Sequence, residues 1–301
     1  MSNRITIGVV LLALLVGGIA AYQIHTRREI SPKPGVATVL QPAASPREAA
    51  NTEPPPPPSE AAPEPVEAKK PAAEPAVVVA PASPIRVGEI WAYSANVSRL
   101  NAVANLSLKV EDGENFLGKN AWHLQAFVHT ENPLRMVFPL DDQFDSYSDT
   151  SSLVSMQYEM HLNEKGQTVN SVQRMTASNR EPAPADAAAA RVLPGTRDPL
   201  GMMQYLRIVD WAKTPQVRSP VYDGHKLYDV YAKLQGKDEK VTVPAGSFHA
   251  MKIELRVLDN GTEMKDAHFT LYLTNNEARM PVLLEAILPF ATARVELVKT
   301  Q

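Results

Sequence analysis

The sequence predicts a mainly β fold: a curved antiparallel sheet, or open β-barrel, wrapped round one helix. A transmembrane helix and a disordered Pro-rich linker precede it. Three observations lead there. From about residue 86 apolar and polar residues alternate with a period of two. Turn dipeptides punctuate those runs. One stretch alone, 198–211, carries a helix start signal and a helical apolar face.

The amino-terminal run "ITIGVVLLALLVGGIAAYQI" (5–24) has no charge. Twenty helical residues extend about 30 Å, the thickness of one hydrocarbon core. Arg4 precedes the run, and Tyr22, His25, Arg27 and Arg28 mark its exit. "GGIAA" (17–21) also offers the small residues of a signal-cleavage site, but the full apolar length favours an uncleaved anchor. The flanking basic residues do not fix orientation. A short tail retained inside puts the rest of the chain across the membrane. Residues 1–28 are therefore expected to form an anchor or uncleaved signal.

Residues 29–85 are expected to form a linker. Of the 26 prolines, 15 fall in 31–85, and no aromatic residue occurs between Tyr22 and Trp91. Such a stretch cannot bury enough apolar surface to offset the entropy of ordering. Polyproline II at about 3.1 Å per residue would let it reach about 170 Å, against about 45 Å as a flexible coil. Its simplest role is a spacer, and a Pro-rich segment is also a possible contact for an envelope protein partner.

Residues 86–301 form the expected β-rich domain. "AWHLQAFVH" sets Trp122, Leu124, Ala126 and Val128 against His123, Gln125 and His129, and "MQYEMHLN" sets Met156, Tyr158, Met160 and Leu162 against Gln157, Glu159, His161 and Asn163. "MKIELRV", "HFTLYLT" and "ARVELV" repeat the pattern. One apolar and one polar face indicate an antiparallel sheet covered on one side. Asp112-Gly113, Asp223-Gly224, Asn260-Gly261 and, more weakly, Lys165-Gly166 predict tight hairpins, and Pro244-Ala245-Gly246 a further turn. "DPLGMMQYLRIVDW" predicts a helix with Asp198 as N-cap and Pro199 at its first position. Met202, Met203, Leu206 and Val209 share one side of it. The preceding "EPAPADAAAARVLPGTR" reads as a polar, Ala-rich loop with one helical turn at most.

Composition narrows the chemistry. Net charge is −3, and residues 1–85 hold 7 of the 30 basic and 7 of the 33 acidic side chains. The folded part thus has no basic excess, and nucleic acid is not an expected partner. Cysteine is absent, which removes disulfides and thiol chemistry. No phosphate-binding glycine loop, G-x-S-x-G elbow or H-E-x-x-H motif occurs, so no cofactor and no metal site are expected.

The acidic stretch "DDQFDSYSD" (141–149) is the one candidate for chemistry. On a strand Asp145 and Asp149 stand about 13 Å apart, beyond a shared ion and beyond a glycosidase pair. A calcium loop would need a turn glycine, which is missing. The expectation is that these aspartates are structural, with Asp145 buried and paired with Arg207. A second reading keeps an envelope hydrolase or glycan-active enzyme using carboxylates of 141–149 with Arg207 or Asp223.

Five stretches in order, "DDQFDSYSD", "DPLGMMQYLR", "VYDGHKLYDV", "VTVPAGSFHAMKIEL" and "RMPVLLEAILPFATARVEL", resemble the domain-of-unknown-function 3108 family of Gram-negative envelope proteins. The resemblance covers about 88–299. It implies a secreted or membrane-tethered periplasmic domain with an open β-barrel like that of lipoprotein carriers, and no catalytic residues to carry over. The expected function is non-catalytic: binding an apolar or amphipathic envelope ligand, or supporting envelope maintenance, with Met202, Met203, Leu206 and Tyr158 as lining residues. A protein-interaction scaffold is the third reading.

Overall fold

A computed structural model of the chain describes residues 83–176 and 188–301. The anchor at 5–24 and nearly all of the linker lie outside the described residues. Among the described residues no helix is long and apolar enough to cross a membrane.

Fourteen strands occur among the described residues: β1 (Ile90–Val97), β2 (Leu100–Phe116), β3 (Lys119–Thr130), β4 (Asp141–Asp149), β5 (Ser155–Glu164), β6 (Gln167–Thr176), β7 (Ala188–Arg191), β8 (Gln216–Tyr222), β9 (Leu227–Val243), β10 (Gly246–Asp259), β11 (Thr262–Glu263), β12 (His268–Thr274), β13 (Pro281–Leu288) and β14 (Ala291–Thr300). They make one sheet in the order β7-β6-β5-β4-β3-β2-β1-β14-β13-β12-β10-β9-β8, with β11 beside β10. Pairing of β1 with β14 joins the two ends of the domain. The sheet stays open because β7 and β8 are its free edges. All pairings are antiparallel except β6 with β7. The Ala-rich segment before the helix thus supplies a strand at 188–191, where a polar loop with at most one helical turn was expected. Its backbone completes the ladder of β6, and the small side chains impose no helix against that pairing.

The alternating faces are where the sequence puts them except at the start of β5, where Gln157 is buried and Met156 only half-buried beside a register shift. Leu124, Ala126 and Val128 of β3, Tyr158 and Met160 of β5, and Ile253, Leu271, Val295 and Leu297 are buried. Lys165-Gly166 and Asn260-Gly261 turn with both residues at positive φ, as a two-residue hairpin requires. Asp112-Gly113 does not turn. It lies within β2, beside a register shift between Val110 and Asp112. The hairpin closes instead at Leu117-Gly118, both at positive φ. Cross-strand pairing here overrides a leucine's poor fit to that conformation.

One α-helix, α1 (Pro199–Ile208), occurs among the described residues. Asp198 caps it, its carboxylate accepting from the Gly201 amide at 2.8 Å. The helix contacts β3, β4 and β8, and Met203 reaches residues of β1, β2, β12, β13 and β14. It is therefore buried on nearly every side, polar Gln204 and Arg207 included. Gly201 sets how close it sits. A Cβ there would lie 2.9 Å from both Ser148 Oγ and Ser155 Oγ and 3.2 Å from the Leu153 carbonyl oxygen. Gly201→Ala is expected to lose about 1–3 kcal/mol in urea unfolding, overcrowding outweighing the gain in helix propensity. An unchanged midpoint would show that this approach is looser than described.

Candidate functional site

The four aspartates of β4 have four separate structural tasks. Asp141 is exposed and forms a bidentate pair with Arg135, at 2.7 and 3.0 Å, and that guanidinium holds its carboxyl below the usual range. Asp142 is 2% exposed and accepts the Asn163 amide at 2.8 Å. Burial pushes its pKa up to about 7. Asp149 closes the next turn, accepting from the amides and hydroxyls of Ser151 and Ser152. Those donors, led by the Ser151 hydroxyl, bring it down to about 2.

Asp145 is buried, as expected, but its partner is not Arg207. Its carboxylate receives Gln125 Nε2 at 2.8 Å and Gln143 Nε2 at 2.7 Å, and meets His123 Nε2 at 2.7 Å. The hairpin register explains this: Gln125 is directly opposite Asp145, with His123 opposite Tyr147. Tyr147 also stacks on the His123 ring. Burial alone would raise the Asp145 pKa. The His123, Gln143 and Gln125 contacts more than offset it and hold the pKa below the usual value. A depressed folded-state pKa gives stability that is present above about pH 4 and is lost as pH falls through the folded value. Asp145→Asn is accordingly expected to cost about 1–2 kcal/mol at pH 7 and nothing near pH 2, measured by unfolding at both pH values.

Arg207, on the last turn of α1, has a fully buried side chain and pairs with Glu89, just ahead of β1, at 2.9 Å. It also donates to the carbonyls of Pro84 and Ala278 and to Gln204 Oε1, and its guanidinium lies 4.4 Å from the Trp91 ring centroid. Burial lowers its pKa and Glu89 works in the opposite sense. Arg279 in turn donates to the carbonyls of Arg207 and Val209. The expected Asp145–Arg207 pair is corrected by this arrangement. Asp145 projects from the face of β4 opposite Phe144 and Ser146, whereas Arg207 is locked between the start of β1 and the β12–β13 turn. Asp223 accepts the His225 and Lys226 amides in its own turn, and among the described residues no hydrogen bond or ion pair joins it to Asp145 or Arg207.

The inward side of β4 carries the polar centre that sequence reading missed. Ser146 Oγ bonds Ser148 Oγ and Asp198. Ser155 Oγ accepts from the Asp198 amide at 2.7 Å. Burial raises the Asp198 pKa despite these donors. Next to it Arg197 donates to Ser219 Oγ and the Ser152 carbonyl and stacks on Tyr205 at 3.6 Å. The spacing Ser-x-Ser in β4 was the available signal: two hydroxyls on the same buried face as Phe144.

The proposed lining residues separate. Tyr158, Met202 and Leu206 are buried in the core. Met203 alone of the four borders a crevice, lined also by Tyr93, Leu108, Leu271, Pro281, Leu283 and Val295. The Tyr93 hydroxyl is used by the Pro281 carbonyl at 2.9 Å, so the walls are apolar. The cavity is only about 10 Å³, room for one water-sized sphere. Among the described residues no group of three or more His, Asp or Glu side chains is placed to hold a metal.

A family model described as "Protein of unknown function (DUF3108)" matches residues 92–298. The chain belongs to this family. Solved structures with similar folds include a β-barrel-like DUF1849 protein from Brucella abortus, at 10% identity and a TM-score of 0.44, covering 71% of this chain and 97% of that one. A protein described as a candidate lipoprotein, from Parabacteroides distasonis, shows 13% identity and a TM-score of 0.34 over 72% and 96% of the two chains. No curated protein matches the sequence.

Proposed function

We propose that this DUF3108 chain is a non-catalytic envelope module, anchored in the inner membrane by residues 5–24 and held in the periplasm on its Pro-rich stalk. Its ligand is an apolar or amphipathic chain, such as the acyl part of an envelope component. The observation that carries this reading is the apolar crevice at Met203. Every wall is hydrocarbon or an already bonded tyrosine, and the residue at its mouth is the most adaptable of the apolar side chains. Entry of an acyl chain displaces Met203 and parts α1 from β13 and β14. The full chain in detergent should raise the fluorescence of an acyl-chain probe, and Met203→Lys should abolish that rise while melting stays cooperative. No probe uptake, together with no lipid in organic extracts, would end the reading. The anchor has its own test: the chain should resist carbonate extraction, and protease added to spheroplasts should remove everything after residue 28.

A scaffold role has one observation in its favour. Leu100, Met136, Val137, Ile287 and Phe290 are exposed on strand ends and loops at one end of the sheet, linked by the bonds Ser98 N to Thr292 O and Glu131 N to Val103 O. A photo-crosslinker at Met136 should capture a discrete partner. One at Leu117, in a turn at the opposite end of β2, should not, and equal labelling from both would dismiss the scaffold.

A further inference from the structure

The open edges of the sheet meet at the β8–β9 turn. No ladder joins β6 to β8 among the described residues. Backbone bonds cross instead through the stretch before α1: Arg197 N to Pro220 O at 3.0 Å, Tyr222 N to Arg197 O at 2.8 Å, and Ser155 N to Thr196 O at 3.1 Å. The turn itself docks on β5 and β6. Gly224 O accepts Gln173 Nε2 of β6 at 2.7 Å. Gly224 has φ +95°, and a Cβ on it would come within 2.5 Å of the Met160 thioether. The turn is thus pressed flat on β5, at a position only glycine fills.

Asp223 is what this docking buries. It is 4% exposed. Its Oδ1 accepts the His225 and Lys226 amides at 2.8 and 2.7 Å, while its Oδ2 has no partner. The Tyr158 hydroxyl of β5, fully buried, has no partner either, and it feels the charges of Asp198 and Asp223. Among the groups around the turn, the His225 ring is the one whose positive charge favours the ionised carboxyl, against the effect of burial. Tyr222 of β8 bonds Gly224 O, and Tyr228 of β9 is raised by burial and by Asp223. Lys226 Nζ is engaged by Asp259 of β10, and His225 contributes its backbone amide. A buried carboxylate with one bare oxygen and no paired cation is costly, and a neutral carboxyl is not.

We propose that the β8–β9 turn is a proton-dependent clasp on the open seam, seated most firmly while the Asp223 carboxyl is neutral and loosened when it ionises. Burial raises the pKa of Asp223 above the ordinary carboxylate value, and the Lys226 and His225 amides and the His225 charge offset this only in part. A group that holds its proton more tightly closed than open makes opening rise with pH. The rise starts near the open-state value of about 4 and levels off at the closed-state value. Loosening frees β8 and the stretch of β6 before Gln173 that β7 does not pair, and this holds whether or not the interior takes a ligand.

Hydrogen–deuterium exchange of the full chain in detergent, between pH 4 and 8 and corrected for intrinsic rates, tests it. Opening at 216–231 and 167–176 should rise by up to tenfold per pH unit before the plateau. Asp223→Asn keeps the Oδ1 acceptor and an Asn-Gly turn, and should remain flat across the range. The ¹³C carboxyl shift of Asp223 in the wild type should titrate with a midpoint at the plateau. Corrected exchange that is independent of pH, an equal pH dependence in Asp223→Asn, or a carboxyl midpoint near 4 would each overturn the clasp.

Discussion

Arg207→Leu is expected to destabilise the domain by about 3–5 kcal/mol, the largest loss foreseen for a single substitution here. The side chain is fully enclosed and Glu89 is nearly so, at 15% side-chain exposure. Removing the guanidinium leaves the Glu89 carboxylate partly buried without a cation. It also takes the donors from the Pro84 and Ala278 carbonyls and the cation from the face of Trp91. Those contacts span 123 and 71 residues of sequence. The loss therefore falls on the junction of α1, the entry of the chain into β1, and the β12–β13 turn. Arg207→Lys should recover little, because one ammonium cannot serve two carbonyls and a carboxylate in the planar geometry of the fork. The double change Arg207→Leu with Glu89→Leu should recover part of the loss, since an apolar pair of similar volume avoids the stranded charge. Chemical unfolding of wild type, Arg207→Leu, Glu89→Leu and the double variant closes the cycle. A loss below about 1 kcal/mol for Arg207→Leu would show that Arg207 is solvated and that α1 is not fixed at this end.

What could be read in the sequence, and what could not, divides by distance along the chain. Strand faces follow from a period of two, so Leu124, Tyr158 and Ile253 were legible as core. Asp198 and Pro199 mark the start of α1 through local backbone chemistry. The task of Asp145 was half legible. Its burial could be suspected, and its true partners, His123 and Gln125, were visible as the polar face of the preceding strand. Selecting them over Arg207 required the β3–β4 register, which the ten-residue connection between those strands does not specify. The pairing of Arg207 with Glu89 was not legible at all, because many carboxylates are equivalent until the topology brings β1 to the end of α1. Leu117-Gly118 was hidden for the reverse reason: the local signal lay at Asp112-Gly113, and the length of β2 and β3 moved the turn. The width of any hollow was not legible, for a volumetric reason. Alternation shows which side chains face inward, and does not show how much space α1 leaves them.

Asp142→Asn is expected to stabilise the domain by about 2–4 kcal/mol at pH 8 and to leave it unchanged below about pH 4. The carboxyl is buried at the start of β4, with one oxygen on the Asn163 amide and the other without a donor. Burial is the main cause of its rise to about 7, with Glu164 and Asp141 adding to it and the Asn163 amide opposing. The unfolded carboxyl ionises near 4, so between about pH 4 and 7 the folded protein binds the extra proton and stability falls as pH rises. A shift of about three units corresponds to about 4 kcal/mol when the group is fully ionised. Asparagine keeps the acceptor for Asn163 and removes the charge, so the variant escapes that loss. The difference in unfolding free energy between the two proteins, followed from pH 3 to pH 8, should be near zero at the acid end, climb through the window and level off above about pH 7. Glu164, also raised by burial, is present in both proteins and largely cancels in the difference. A variant less stable than wild type at pH 8 would mean that the Asp142 charge is solvated or paired, and that this end of β4 is open to water.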